Sequence, residues 1–237
     1  MTDFLLTSLI LFGATLISST FGFGNALFAM PLLTLLLDIS TATPLFGLVG
    51  PTISSIILAR NWQRVEVASA WRLITTTLVG IPVGVWLVKQ VPNDLITQGL
   101  GLCLIGFGCY RLSNWQLVKL EAPAWAVPFG LVAGILGGAY NTNGPPIVIY
   151  GEMRRWSPAE FRATLQSYFF PAGLGILLSH AAGGLWNGHI FQLYGVALPG
   201  ILVAIALGGW INHRLSVERF QKLLSVLLIM LGALLWL

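Results

Sequence analysis

An uncharged segment from Ala122 to Gly151 reads APAWAVPFGLVAGILGGAYNTNGPPIVIYG. Basic residues flank it on both sides, Arg111 and Lys119 before it and Arg154 and Arg155 after it. Its 30 residues are too few for two full membrane crossings and a turn, because each helical crossing needs about 20 apolar residues. The segment therefore predicts a hairpin of short or broken helices that enters and leaves a membrane on one side.

The composition of the whole chain agrees with a membrane location. Of 237 residues, 56% are hydrophobic and 8% are charged, whereas a soluble domain carries about 25% charged residues. Further uncharged stretches cover residues 4–37, 41–59, 73–88, 95–110, 163–213 and 223–237. This pattern excludes a soluble enzyme, a disordered chain and a nucleic-acid-binding module. We predict an all-α polytopic membrane protein with no nucleic-acid partner.

The basic residues are concentrated in a few of the predicted loops. Segments 60–72, 111–121, 154–162 and 214–222 hold 11 of the 12 Lys and Arg residues. Cytoplasmic loops of membrane proteins are enriched in Lys and Arg, so we place these four loops in the cytoplasm and both termini outside. The same bias accounts for the basic isoelectric point of about 9.4.

Each half of the chain then has the same order of elements in opposite orientation. The first repeat, 1–118, comprises a hairpin at 4–37 and helices at 41–60, 70–89 and 93–112. The second repeat, 119–237, comprises a hairpin at 122–152 and helices at 158–180, 190–212 and 217–237. In each hairpin a glycine precedes a proline by seven residues, Gly24 to Pro31 and Gly138 to Pro145. We therefore predict two inverted repeats, an arrangement common in transporters.

Gly and Asn residues interrupt both hairpins and predict a binding site between them. Non-helical backbone is tolerated at membrane depth only where protein buries it or a watery cavity solvates it. We expect Asn25 to cap a helix that begins at Ala26, and Asn143 or Gly144 to cap the helix entered by Pro145. Two helix N-termini meeting near the bilayer centre could hold an anion without a buried Lys or Arg.

The candidate binding residues lie mainly in these two interruptions. They are Gly22, Gly24, Asn25, Asn141, Thr142, Asn143, Gly144 and Pro145, together with Arg162 and Gln166. The last two are four residues apart and share a helix face, where they could attract an anion and line its cavity. Alternatively, the glycines serve close helix packing, the Asn side chains bond across helices, and Arg162 anchors its helix at the membrane surface.

The other polar residues favour structural roles. We expect Thr75, Thr76 and Thr77 to bond back to their own helix. The histidines His180 and His189 lie near predicted helix ends without a second ligand at metal spacing. We therefore predict no metal and no other cofactor. The sequence has no phosphate-binding loop, catalytic triad or dinucleotide fingerprint, so we predict that the protein is not an enzyme.

Three short motifs resemble those of the sulfite exporter TauE/SafE family. They are Gly22-Phe23-Gly24 followed by Pro31, Gly137-Gly138 leading to Gly144-Pro145-Pro146, and Phe161-Arg162-Ala163-Thr164. The resemblance implies a small integral carrier of the inner membrane that exports sulfur-containing oxyanions such as sulfite or sulfoacetate. Asn25 departs from the pattern, because many relatives have a further Gly there, and this changes the polarity of the first interruption.

Together these features predict a secondary transporter that binds a small anion near the membrane midplane, between the two hairpins. Its partners would be the anion, the lipid bilayer and, for so short a chain, a second copy in a homodimer. The alternatives are a channel or facilitator for another small anion, a non-transporting subunit of a larger complex, and an intramembrane enzyme. No nucleophile or acid–base pair favours the enzyme, and no buried Asp or Glu is an obvious proton carrier.

Overall fold

A computed structural model describes residues 2–61, 67–113, 117–211 and 217–236, and all regular secondary structure within these ranges is helical. The first half contains α1 (Thr2–Phe21), α2 (Asn25–Leu36), α3 (Ile39–Asn61), α4 (Val67–Gln90) and α5 (Asn93–Leu112). A short 3-10 turn, Pro123–Trp125, leads into α6 (Ala126–Tyr140). The second half continues with α7 (Gly144–Met153), α8 (Pro158–Ala182), α9 (Gly188–Ile211) and α10 (Val217–Leu234).

The two hairpins each consist of one long and one short arm. The second arms are short, 12 residues in α2 and 10 in α7. The first arms are not short helices, because Asp3–Phe21 and Pro123–Tyr140 are each long and apolar enough to cross a membrane. The chain stays helical until the first residue that departs from right-handed geometry, which is Gly22 in one hairpin and Asn141 in the other.

Five helices in the described part of the chain have the length and apolar composition of membrane spans. They are Asp3–Phe21, Ala70–Gln90, Asn93–Leu112, Pro123–Tyr140 and Gly188–Ile211. The outer surface carries many exposed large apolar side chains, among them Leu9, Val79, Trp86, Leu102 and Trp210. Such a surface would be unfavourable in water, whereas the acyl chains of lipids solvate it. The fold is that of a polytopic helical membrane protein.

Helix pairings join the two halves of the chain. The first helix of each half packs on the fourth helix of the other half, α1 on α9 and α6 on α4. The third helices, α3 and α8, contact each other, and so do the fifth helices, α5 and α10. Every pairing in this set therefore has its counterpart when the two halves are exchanged. The short arms α2 and α7 adjoin this framework, and Asn25 and Asn143, at their N-terminal ends, line the cavity described below.

The α4–α6 contact is close enough to exclude side chains. A Cβ atom built at Gly134 would collide with backbone atoms of Thr77 and Gly80, and one at Gly138 would collide with backbone atoms of Ile81 and Val85. Gly130 and Gly84 complete the contact at the same spacing of four residues. Small residues at this spacing let two membrane helices approach until their backbones touch. Gly138, which the sequence analysis named for its spacing to Pro145, thus serves close packing.

Candidate functional site

The interruption between α1 and α2 depends on two glycines in left-handed geometry. Gly22 has φ of 88° and Gly24 has φ of 97°, values that side chains disfavour. The amide of Gly22 closes α1 by donating to the carbonyl of Ser18 at 2.7 Å. Helix α2 begins at Asn25, one residue earlier than predicted, and the Oδ1 atom of Asn25 accepts from the amide of Ala26 at 2.9 Å. Among the residues that the structure describes, its Nδ2 group has no hydrogen-bond partner and is available as a donor.

Asn141 ends α6 and ties the second interruption to α3. Its backbone is left-handed, with φ of 55°, and Asn is one of the few residues other than Gly that adopts this conformation readily. Its Nδ2 group donates to the carbonyl of Thr43 at 2.8 Å, while the hydroxyl of Thr43 donates to the carbonyl of Ala139 at 2.9 Å. These two bonds fix the end of α6 against α3.

Asn143 precedes α7 and lies beside a buried chain of hydrogen bonds. It makes no side-chain bond to the start of α7, and its side chain lies near the hydroxyl of Tyr168. Tyr168 bonds the hydroxyl of Thr77 at 2.9 Å, and Thr77 donates to the carbonyl of Gly130 at 3.0 Å. Because a carbonyl only accepts, the hydroxyl hydrogen of Thr77 goes to Gly130, and Tyr168 therefore donates to Thr77.

A single cavity of about 70 Å³, hereafter the central cavity, lies between the two interruptions. Four of the candidate residues line it together: Gly22, Asn25, Asn141 and Asn143. The remaining lining residues are Ser18, Phe23, Phe46, Gly50, Pro51, Ile53, Ser54, Phe169, Gly173 and Ile176. The structure thus brings the two breaks, which are more than a hundred residues apart in sequence, to one site.

The electrostatics of the central cavity come from dipoles and amides. None of its lining residues in the described chain is Asp, Glu, Lys or Arg. Asn25 is the first residue of α2 and Asn143 precedes the first residue of α7, so two helix N-termini with partial positive charge adjoin the cavity. The α7 terminus is the poorer in donors, because Pro145 and Pro146 have no amide hydrogen.

The other candidate residues lie elsewhere or beyond what the structure describes. Gly24 packs toward Leu224, and Gly144 lies near the ring of Phe169. Thr142 and Pro145 line a different, predominantly apolar cavity between α2, α5, α6 and α7. The backbone of Arg162 and Gln166 belongs to α8, but their side chains lie outside the described part of the chain.

The sequence analysis did not predict the surroundings of two residues, Thr77 and His180. Thr75 and Thr76 bond back to the carbonyls of their own helix as predicted, but Thr77 does not, because it faces α6 and bonds Gly130 and Tyr168. His180, which was expected near a helix end without a function, is fully buried beside the second interruption. In the described ranges, no three His, Cys, Asp or Glu side chains lie close enough together to hold a metal ion.

Comparison with known proteins identifies the family. A family profile described as Sulfite exporter TauE/SafE matches residues 7–235. The protein named Probable inner membrane transporter protein TsaS, from Comamonas testosteroni, is 28% identical over 174 residues, which cover 73% of this chain and 73% of that protein. No solved structure matches the chain. The match covers nearly the whole chain and confirms the resemblance of the motifs: the chain belongs to the sulfite exporter TauE/SafE family.

Proposed function

We propose that the protein is a secondary transporter of small sulfur-containing oxyanions and that it binds the anion in the central cavity. The observation that carries the proposal is the convergence of Gly22, Asn25, Asn141 and Asn143 on one uncharged cavity beside two helix N-termini. Oriented amides and helix dipoles stabilise an anion without a counter-charge that would have to be buried. The membership of a sulfite exporter family supports the choice of ligand.

The size of the central cavity favours a compact oxyanion. A cavity needs about 10–15 Å³ of such volume to hold one water molecule, so about 70 Å³ has room for a few water-sized groups. Sulfite, with four non-hydrogen atoms, matches that space better than sulfoacetate, which carries an additional carboxylate arm. In this conformation the site therefore favours sulfite over longer sulfonates.

The helix pairings support an inverted-repeat transporter with halves 1–118 and 119–237. Exchange of the halves maps the α1–α9 contact onto the α6–α4 contact and leaves the α3–α8 and α5–α10 contacts in place. An inverted repeat offers two related arrangements, and rocking between them would expose the central cavity to each side in turn. We place the protein in the inner membrane, with the Lys- and Arg-rich loops in the cytoplasm, both termini outside and export as the direction.

A flux assay in liposomes tests the proposal. The purified protein should carry labelled sulfite across the membrane well above the rate in empty vesicles. Sulfite on the opposite side should accelerate this flux, because an alternating-access carrier exchanges its ligand, whereas a channel or passive facilitator shows no such acceleration. If sulfite and a set of small sulfonates all fail to cross, the protein is not their transporter, and a non-transporting subunit becomes the better assignment.

Substitution of the cavity amides tests the location of the site. Asn143→Leu should weaken sulfite binding about tenfold to a hundredfold, since a hydrogen bond to a charged group contributes about 1.5–3 kcal/mol and 1.4 kcal/mol corresponds to tenfold. Asn25→Leu tests the first interruption in the same way. The matched control is Asn93→Leu, because Asn93 is exposed at the start of α5. Unchanged binding in both cavity variants would remove the central cavity from the mechanism.

A further inference from the structure

His180 is the one histidine that the described structure buries completely. Its side chain belongs to α8 and is 0% exposed, and its Nε2 atom lies 3.0 Å from the carbonyl oxygen of Gly138. Because a carbonyl only accepts, Nε2 carries the hydrogen of the neutral ring and Nδ1 carries a lone pair. In the described part of the molecule Nδ1 has no hydrogen-bond partner.

The unpartnered Nδ1 atom lies between α3 and the second interruption. A Cβ atom built at Gly47 would stand 2.5 Å from Nδ1 of His180 and 3.7 Å from Oδ1 of Asn141. The absence of a side chain at Gly47 therefore makes room for the imidazole. Asn141 lines the central cavity, and so does Phe46, the neighbour of Gly47. The ring thus lies directly behind the wall of the central cavity.

Few charged residues belong to the helices that pack around this ring in the described part of the chain. Helices α3, α4 and α6, which surround the ring, contain no Asp or Glu. The charged residues of these helices are Arg60 near the C-terminal end of α3, Arg72 near the N-terminal end of α4, and Lys89 near the C-terminal end of α4. The Nζ atom of Lys89 donates to the carbonyl of Gly183 at 2.9 Å. Tyr140 of α6 directs its hydroxyl toward Gly99 of α5. A positive charge on His180 would therefore have no buried counter-ion among these groups.

A histidine that only tied α8 to α6 would use Nε2 alone, because Nε2 makes the bond to the carbonyl of Gly138. An unpaired buried acceptor is unfavourable, whereas ionisable groups inside membrane proteins commonly serve as proton carriers. Histidine is the side chain that ordinarily changes charge near neutral pH. Here an unpaired proton acceptor stands beside a cavity that adjoins two helix N-termini and contains no charged side chain.

We propose that Nδ1 of His180 is the proton-binding site of the transport cycle, so that one proton moves together with each anion. The proposal rests on the transport function and the central cavity proposed above. A proton from water forms the Nδ1–H bond when the anion enters, and the imidazolium supplies the counter-charge that the cavity lacks. When the anion leaves, the Nδ1–H bond breaks and the proton returns to water on the same side as the anion.

The variant His180→Gln separates proton binding from a structural role. The glutamine amide can still donate to the carbonyl of Gly138 in place of Nε2, but it does not take up a proton at neutral pH. His189→Gln is the matched control, because His189 is exposed at the start of α9 and packs edge-on against Phe4. Thermal unfolding in detergent verifies that both variants fold. If His180→Gln does not fold, His180→Asn takes its place.

The decisive measurement follows anion and proton together in liposomes that contain a pH-sensitive dye. Methanesulfonate is the probe, because its charge does not change near neutral pH. Its entry should acidify the lumen with wild type and with His189→Gln, whereas His180→Gln should carry the anion with at least tenfold less acidification per anion. Equal acidification in His180→Gln, or anion entry without acidification in wild type, overturns the proposal while leaving transport intact.

A second probe covers a protein that carries sulfite but not methanesulfonate. An imposed membrane potential should alter sulfite uptake more strongly in His180→Gln than in wild type, because loss of the accompanying proton leaves one more negative charge to move. An equal response in the two proteins overturns the proposal. If wild type carries neither anion, the proposed transport function fails first, and the inference about His180 fails with it.

Discussion

The hydroxyl of Tyr168 lies near Asn143 at the central cavity, and its removal tests how far the site depends on that hydroxyl. Tyr168→Phe leaves the ring packed but deletes the hydroxyl that bonds Thr77 and lies near Asn143. We expect a loss of about 1–3 kcal/mol of stability, since buried polar groups lose a partner, and a several-fold weaker affinity for sulfite. Unfolding in detergent and equilibrium binding measure the two effects separately.

The control for this change removes a hydrogen bond of the same kind elsewhere. Tyr194 bonds the hydroxyl of Thr52 at 2.6 Å and does not line the central cavity. Tyr194→Phe should therefore lower stability by a similar amount without changing the affinity for sulfite. Equal losses of affinity in the two variants would mean that Tyr168 acts only through general stability.

Gly22 tests the strain at the first interruption. A Cβ atom added there would meet nothing within 4 Å, but φ is 88°, so Gly22→Ala should cost about 1–2 kcal/mol through backbone strain alone. Gly106 also has open space at its Cβ position but lies inside α5. Gly106→Ala should leave stability unchanged or raise it, because Ala favours helix. Unfolding in detergent compares the two, and equal stabilities would contradict the strain at Gly22.

At the level of helices, the α4–α6 contact explains why the second hairpin holds its position. A methyl group at Gly134 would meet backbone atoms of Thr77 and Gly80, and backbone cannot move aside without separating the two helices. Gly134→Ala should therefore destabilise the protein by about 1–3 kcal/mol or more and reduce flux. The control, Gly195→Ala in α9, adds its methyl group where nothing lies within 4 Å. Comparable unfolding temperatures in the two variants would contradict this account.

The sequence predicted the elements better than their partners. The helical character is confirmed, and five helices in the described part of the chain have membrane length and apolar composition, because hydropathy and uncharged length report them directly. The partner of each helix could not be predicted, since glycine spacing marks a close contact without naming the opposite helix. The bonding of Thr77 was predicted wrongly for this reason: a threonine that bonds its own helix and one that bonds a neighbour look alike in sequence.

Over the whole molecule, the sequence predicted the two breaks that line the central cavity but not how they are arranged around it. The breaks were recognised because Gly, Asn and Pro are costly in apolar helices, and the structure brings Gly22, Asn25, Asn141 and Asn143 to one cavity. His180 was not assigned a role, since a single histidine near the end of a helix gives no sign of what will pack against it. The inverted repeat and the dimer remain predictions.

The orientation of the two halves leads to a test on intact cells. With the native Cys103 and Cys109 replaced by Ser, single cysteines are introduced as Asn93→Cys, Lys119→Cys and Asn187→Cys, all at exposed positions. If basic loops face the cytoplasm, a membrane-impermeant maleimide should label the variants at 93 and 187 from outside. It should label the variant at 119 only after permeabilisation.

This pattern also bears on the inverted repeat, because loops that follow corresponding helices of inverted halves must lie on opposite faces. The loop after α8 contains Asn187, and its counterpart after α3 belongs to the basic segment 60–72. A cysteine at 187 that is labelled from outside places the end of α8 opposite to the cytoplasmic face expected for the end of α3. Labelling of 93 and 119 from the same side would contradict the crossing by α5, and with it the alternation of loops on which the repeat depends.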